Sequence, residues 1–252
     1  MQRYGLIGRK LGHSFSKKYF TDLFRKEKLE DHRYDLFELE DIAEFPALLR
    51  DTPGLRGLNV TVPYKESVIP FLDELDPLAA AVGAVNTITV EHGRTKGYNT
   101  DVAGFRTLLE RAGSPFADPG SAIKPRALVL GSGGASRAVA YVLRDMGIRF
   151  RIVSRSRERG DLTWDLIDGT VLGVCRLVIN TTPLGMYPNV DEAPPLPYPA
   201  LTAKHTLVDL VYNPEETLFL KYGKEHGAHT VGGLGMLKAQ ADEAWRIWQG
   251  AG

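Results

Sequence analysis

At 252 residues the chain is longer than a typical domain of about 100–200 residues, so two domains are expected. Lys and Arg number 31, as do Asp and Glu, which removes the electrostatic case for a nucleic-acid or membrane partner and favours a small molecule. Cys175 is the single cysteine, which excludes an internal disulfide and a multi-thiolate metal site; with no signal-peptide pattern in MQRYGLIG and no apolar run of about 18 residues, a cytoplasmic protein is expected.

The first hundred residues alternate apolar runs with amphipathic segments, the pattern of an α/β domain. Strands are predicted over 4–7, 34–39 and 57–60, with helices over 16–27 and 41–50 between them, each opened by a side chain able to cap free N–H groups. Residues 87–90 and 95–98, separated by His92-Gly93, read as a hairpin. A helix over 101–112 follows, and residues 113–125, rich in Gly, Pro, Ser and Ala, read as a linker. A second α/β pattern starts at Arg126, with strands over 127–130, 150–153, 177–180 and 206–210 and a helix over 136–146. The end, 236–248, is an amphipathic helix with Leu237, Ala241, Ala244 and Trp248 at helical spacing.

Between strand 127–130 and helix 136–146 lies Gly131-Ser132-Gly133-Gly134-Ala135. A first glycine permits the tight turn, the next lets backbone approach a pyrophosphate, and the helix N-terminus offers N–H groups and positive dipole. An NAD site would carry an acidic residue about 20 positions further on to hold the ribose 2′-OH. Ser154-Arg155-Ser156-Arg157 stands there instead, with Arg159 beyond it. A carboxylate repels a 2′-phosphate and a guanidinium binds one, so NADP is favoured. The bland reading of these arginines is a solvated surface run.

In the first domain four polar segments sit where strands end: His13-Ser14-Phe15-Ser16, the run from Asn59 through Thr61 to Lys65, Gly83-Ala84-Val85-Asn86-Thr87, and Gly97-Tyr98-Asn99-Thr100-Asp101. The crevice beyond strand C-termini is where open α/β sheets bind ligands. Hydroxyls, amides, one ammonium and one carboxylate suit a ligand with several hydroxyls. Singly, Ser16 and Asp101 read as helix caps, and Asn59, Asn86 and Asn99 as turn residues. Lys65, with Asp101 as partner, is what that reading does not cover.

From end to end the chain resembles the shikimate dehydrogenase family. GxxxxHSFS, NVTVPYK, GAVNT and YNTDVAG are similar to that family's substrate-domain motifs, and GSGGASRA to its nucleotide turn. NTTPLGM, DLVYNP and GLGMLKAQ follow in the expected order. Lys17 departs from a frequent proline, and Ser154-Arg155-Ser156 from a more usual Asn-Arg-Thr.

The resemblance implies two α/β domains, residues 1–101 with 234–252 binding substrate and residues 102–233 forming a Rossmann-like NADP domain, with the C-terminal helix returning to the first. It implies that Ser14 and Ser16 hold a substrate carboxylate with Tyr212 nearby, that Thr61, Asn86, Asp101 and Gln240 contact ring hydroxyls, and that Lys65 is catalytic with Asp101 as its proton-handling partner. For the cofactor it implies Gly131, Ser132, Gly133, Gly134 and Ala135 at the pyrophosphate, and Ser154, Arg155 and Arg159 at the 2′-phosphate. Leu210 and Met236 would lie against the nicotinamide and Gly233 would contribute backbone. Met236 reads equally as a core residue.

The activity implied is reversible NADPH-dependent reduction of 3-dehydroshikimate to shikimate, in aromatic amino acid biosynthesis, without metal, nucleic acid or membrane; a homodimer is left open. The rivals are a quinate/shikimate dehydrogenase that prefers NAD, against which Ser14, Ser16 and the basic segment argue, and a non-catalytic ligand sensor, against which Lys65, Asp101 and Gln240 together argue. His226 and His229 lack a carboxylate or thiolate companion and read as loop histidines rather than metal ligands.

Overall fold

A computed structural model of the chain describes residues 1–12, 14–111 and 126–250. His13 and the expected linker 113–125 lie outside the described residues. The chain divides into two compact units, Met1–Thr100 with Gln240–Gly252, and Asp101–Ala239. The sequence reading sets the second boundary at 234, whereas the division falls at Gln240, inside the last helix.

The first unit runs β1 (Gln2–Gly8), α1 (Phe15–Lys26), β2 (His32–Glu38), a 3-10 turn (Ile42–Glu44) leading into α2 (Phe45–Asp51), β3 (Leu55–Val60), α3 (Tyr64–Ser67), β4 (Glu74–Leu75), α4 (Pro77–Val82), β5 (Thr87–Glu91) and β6 (Arg94–Tyr98). Its strands lie in the order β2-β1-β3-β5-β6-β4. β1 pairs parallel with β2 and β3, while β3, β5 and β6 form an antiparallel run in which Asn59 stands opposite Thr87 and Thr87 opposite Tyr98. Ile7 is registered with Val60. The C-terminal ends of β1, β3 and β6 and the start of β5 therefore share one edge.

Two expectations shift here. Ser14, not Ser16, caps α1: its backbone is extended and its hydroxyl accepts from Lys17 N at 3.3 Å, leaving Ser16 inside the helix. The helix predicted over 41–50 is divided, because Asp41 and Glu44 close a capping box around the 3-10 turn and Pro46, with no N–H to give, opens a new helical segment.

The second unit runs α5 (Asp101–Arg111), β7 (Ala127–Leu130), α6 (Gly134–Asp145), β8 (Phe150–Ser154), β9 (Leu162–Thr163), a 3-10 turn (Trp164–Leu166), α7 (Gly169–Val174), β10 (Leu177–Asn180), β11 (Thr206–Asp209), α8 (Leu218–Glu225), β12 (His229–Val231) and the start of α9 (Leu234–Trp248). Its sheet is parallel throughout the described pairs, in the order β12-β11-β10-β7-β8-β9. Counted from β7, this is the doubly wound order 3-2-1-4-5-6, whose switch point lies between β7 and β10. β7, β10 and β11 are buried along their whole length, as strands covered on both faces require. α6 turns Ala138, Val139, Val142 and Leu143 inward.

The end of α9 belongs to the first unit. Trp248 donates its Nε1–H to the Ile88 carbonyl at 3.0 Å and sets its ring 4.9 Å from Tyr4 and 5.1 Å from Phe20. Trp245 packs on Tyr4 and Phe24. These rings, with Ala241 and Ala244, build one face of that unit's core.

Candidate functional site: a polar sheet edge and a dinucleotide turn

In the first unit the edge shared by β1, β3, β5 and β6 is where the predicted polar segments meet. The Tyr34 hydroxyl donates to Asn59 Oδ1 at 2.7 Å, and the same hydroxyl is hydrogen-bonded by Ser16. Burial pushes that phenol well above its ordinary range, so it stays a neutral donor. Thr61 follows β3 with its N–H on the Ile7 carbonyl at 2.9 Å. Lys65, half-buried in the short helix α3, accepts the Val85 N–H on its own carbonyl at 2.7 Å, so two of the polar segments are tied together.

Asn86 is 3 % exposed and engages both ends of its amide. Its Oδ1 accepts from Thr100 N at 2.7 Å and from the Thr87 and Thr100 hydroxyls at 3.3 Å, while Nδ2 donates to Thr100 Oγ1 at 3.0 Å and to Gln240 Oε1 at 3.2 Å. A buried amide held at both its oxygen and its nitrogen keeps a fixed orientation. Ser14, Ser16, Thr61, Lys65, Asn86 and Gln240 all belong to this unit. Asp101, 1 % exposed at the start of α5, and Tyr212, half-buried after β11, belong to the other. Burial raises the Tyr212 hydroxyl above its ordinary value.

In the second unit the glycine turn follows β7 at the switch point. Gly131 has φ +111°, and a Cβ there would come within 2.6 Å of Thr181 Oγ1, so only glycine fits. Gly133, at the N-cap of α6, offers no side chain to the helix's first N–H groups and has open space around it. Those N–H groups and the dipole behind them suit a pyrophosphate. Ser136, in the first turn of α6, has a buried hydroxyl with no hydrogen-bond partner in the protein.

Beside this turn runs the segment after β8. Gly131 N donates to the Val153 carbonyl at 2.9 Å, the Ser132 and Ser154 hydroxyls are 3.1 Å apart, and Arg159 Nη2 reaches the Ser132 carbonyl at 3.4 Å. Arg155, Arg157 and Arg159 are exposed. The donors present therefore fit a dinucleotide with an anionic group at the end of β8. At the opposite side of the switch point, Gly233 lies so close to Leu210 that a Cβ would meet its carbonyl oxygen at 2.5 Å, while Met236 is 6 % exposed and Leu210 half-buried.

Residue-type reasoning missed a group that the structure makes central. Asn180 and Asp209, at the C-terminal ends of β10 and β11, are buried with Thr217, the N-cap of α8. The Asp209 carboxyl, driven up to about 6 by burial, is partly compensated by hydrogen bonds from Thr217, Val211 N and Asn180. The available signal was the polar terminus of two otherwise apolar strands. Thr100 and Tyr34, which organise the first unit's edge, were also missed. His226 caps the end of α8 and His229 opens β12; among the described residues no cluster of three or more His, Cys, Asp or Glu is positioned to hold a metal.

A parallel sheet in this order, with a glycine turn at its switch point and a second α/β unit carrying a polar edge, defines a two-domain protein of the dinucleotide-binding α/β class. Residues 6–88 match the family described as the shikimate dehydrogenase substrate binding domain. The NADP(+) shikimate dehydrogenase of Clostridium beijerinckii is 40 % identical over 99 % of this chain and 92 % of its own length. The chain belongs to the shikimate dehydrogenase family. A structure of the Thermus thermophilus enzyme in complex with NADP(H) and shikimate is similar at TM-score 0.85 and 33 % identity, covering 99 % of this chain and 94 % of that one. A quinate dehydrogenase from Corynebacterium glutamicum in complex with NAD matches at TM-score 0.85 and 28 % identity, over 99 % and 94 %.

Proposed function

We propose that this chain is an NADP-dependent shikimate dehydrogenase that reversibly reduces 3-dehydroshikimate to shikimate in aromatic amino acid biosynthesis. The observation that carries the reading is the meeting of Ser16, Asn59, Asn86 and Gln240 at one sheet edge, in the unit whose residues 6–88 match the substrate-binding family. Rigid amides and hydroxyls of this kind suit a polyhydroxylated ring acid, because a site built to hydrogen-bond hydroxyls rejects ligands that lack them.

Ser14 and Ser16 take the substrate carboxylate, with Tyr212 as a further donor. Thr61, Asn86, Asp101 and Gln240 take the ring hydroxyls. When bound, NADPH supplies the hydride for the substrate carbonyl. Lys65 gives the carbonyl oxygen its proton and takes it back in the reverse direction, with Asp101 as a second proton-handling group; such transfers contribute about 10²–10⁴-fold. Gly131, Ser132, Gly133, Gly134 and Ala135 hold the pyrophosphate by backbone N–H groups, and Ser154, Arg155 and Arg159 the 2′-phosphate. Leu210 and Met236 flank the nicotinamide, and Gly233 contributes its backbone.

The alternative is a quinate/shikimate dehydrogenase that prefers NAD, a reading raised by the similarity to the Corynebacterium glutamicum quinate dehydrogenase in complex with NAD. Steady-state kinetics with shikimate and quinate, each with NADP⁺ and NAD⁺, decide between them. The highest kcat/KM is expected for shikimate with NADP⁺; quinate with NAD⁺ as the better pair, or no NADPH formation from shikimate, refutes the proposal. Cytoplasmic placement goes with this reading; among the described residues no helix is long and apolar enough to cross a membrane. Homodimer formation is a separate proposal, decided by sedimentation velocity.

A further inference from the structure

The carbonyl of Leu130, just before the glycine turn, accepts from both Thr181 N at 2.9 Å and Thr181 Oγ1 at 2.7 Å. The neighbouring Asn180 holds Thr182 through its Oδ1, at 3.0 Å from N and 2.6 Å from Oγ1, and through its carbonyl accepts Leu210 N at 3.0 Å. Its Nδ2 donates to Asp209 Oδ1 at 3.0 Å. The same Oδ1 accepts Val211 N at 3.0 Å, and Oδ2 accepts the Thr217 hydroxyl at 2.5 Å. Asn180 and Asp209 are fully buried, and Thr217 is 1 % exposed.

This network links the ends of β7, β10 and β11 and holds the N–H groups of Leu210 and Val211. It holds a carboxyl group where an apolar side chain would pack more cheaply, since burying a carboxylate without a cation is costly. Thr217 also caps α8, its Oγ1 accepting from Leu220 N at 3.4 Å. What the carboxyl adds is a fixed course for the backbone from Leu210 to Tyr212. We propose that Asp209 is a positioning residue for the reaction, orienting the Leu210–Tyr212 segment so that the nicotinamide ring is held at the angle hydride transfer requires. The inference rests on the reading above, in which Leu210 flanks the nicotinamide. Misplacement of about 1 Å at a reacting centre costs on the order of 10²-fold in rate.

The test compares wild type with Asp209→Ala and Asp209→Asn. The asparagine variant keeps Oδ1 as acceptor for Asn180 and Val211 and turns its amide towards Thr217 Oγ1, so the geometry survives without the charge. Asp209→Ala is expected to lose about 10- to 100-fold in kcat while Kd for NADPH moves by less than about threefold, because the pyrophosphate and 2′-phosphate contacts are elsewhere. Asp209→Asn is expected to recover most of that loss. Equal kcat in folded Asp209→Ala, or an alanine loss that asparagine does not rescue, overturns the inference. Should Asp209→Ala fail to fold, Thr217→Val against Thr217→Ser carries the same comparison, with the same outcomes. The fluorescence of bound NADPH reads ring placement without turnover: a changed emission at unchanged Kd supports the inference and an unchanged spectrum overturns it. Because this readout needs no substrate, it separates the inference from the shikimate reading, which falls instead if wild type binds NADPH yet does not oxidise shikimate.

Discussion

Asn86 Nδ2 donates to Gln240 Oε1 at 3.2 Å, joining a residue just before the central strand β5 to one in the last helix. Through this bond α9 is tied to the polar edge as well as to the aromatic core. Gln240→Ala is expected to cost about 1 kcal/mol of stability for the lost hydrogen bond and to raise KM for shikimate about tenfold, with little change in KM for NADPH. Urea denaturation and steady-state kinetics check the two halves, and an unchanged shikimate KM would remove Gln240 from the site.

The aromatic anchorage of α9 sets a second expectation. Trp248 gives its indole N–H to Ile88 and packs at tilted angles among Tyr4, Phe20 and Tyr34. Trp248→Ala is expected to lose about 3–5 kcal/mol, whereas Trp248→Phe keeps most of the packing and loses less. A thermal melt of both variants tests it; similar midpoints for alanine and wild type would contradict the packing argument.

Cofactor choice is testable at the end of β8. Charge-assisted hydrogen bonds contribute about 1.5–3 kcal/mol each, so Arg155→Ala is expected to raise KM for NADPH about 10- to 100-fold and to leave KM for NADH nearly unchanged. Equal effects on the two cofactors would mean that Arg155 does not face the 2′-phosphate.

The pH dependence of folding follows from Asp209. Its carboxyl is raised to about 6 in the folded protein from an ordinary value of 3.8, chiefly by burial. A group raised on folding stabilises the protein fully below its unfolded value, and that contribution is lost as pH rises through about 6. Asp209→Asn, which does not ionise, should therefore gain on wild type by up to roughly 2 kcal/mol between pH 4 and pH 7. Urea denaturation across that range measures it, and a stability difference independent of pH would contradict the burial argument.

Much of the fold was legible because periodicity and turn chemistry agree over long elements. β7 and β10 fall where continuous apolar runs set them, and β5 with β6 where His92-Gly93 marks the turn. α8 escaped because Gly223 sits in its interior; it is there to let the helix approach Leu207, whose side chain would lie 2.6 Å from an added Cβ. Short helices such as α4 and α7 escaped because about six residues carry too little period to read.

At the site, residue types and motif order indicated Asn86 and Gln240, but nothing linear reveals that the two are bonded across the length of the chain. Asp209 was visible as part of a motif and invisible as a buried carboxyl, since burial depends on what packs over it. The same limit applies to Ser14 and Ser16, whose capping roles were exchanged: either hydroxyl is competent, and backbone geometry chooses.

The most direct test of the account is the turnover of Lys65→Ala with shikimate and NADP⁺, measured beside shikimate binding in the same variant. The account predicts a loss of about 10²–10⁴-fold in kcat with shikimate affinity changed only modestly. Turnover at the wild-type rate would contradict it.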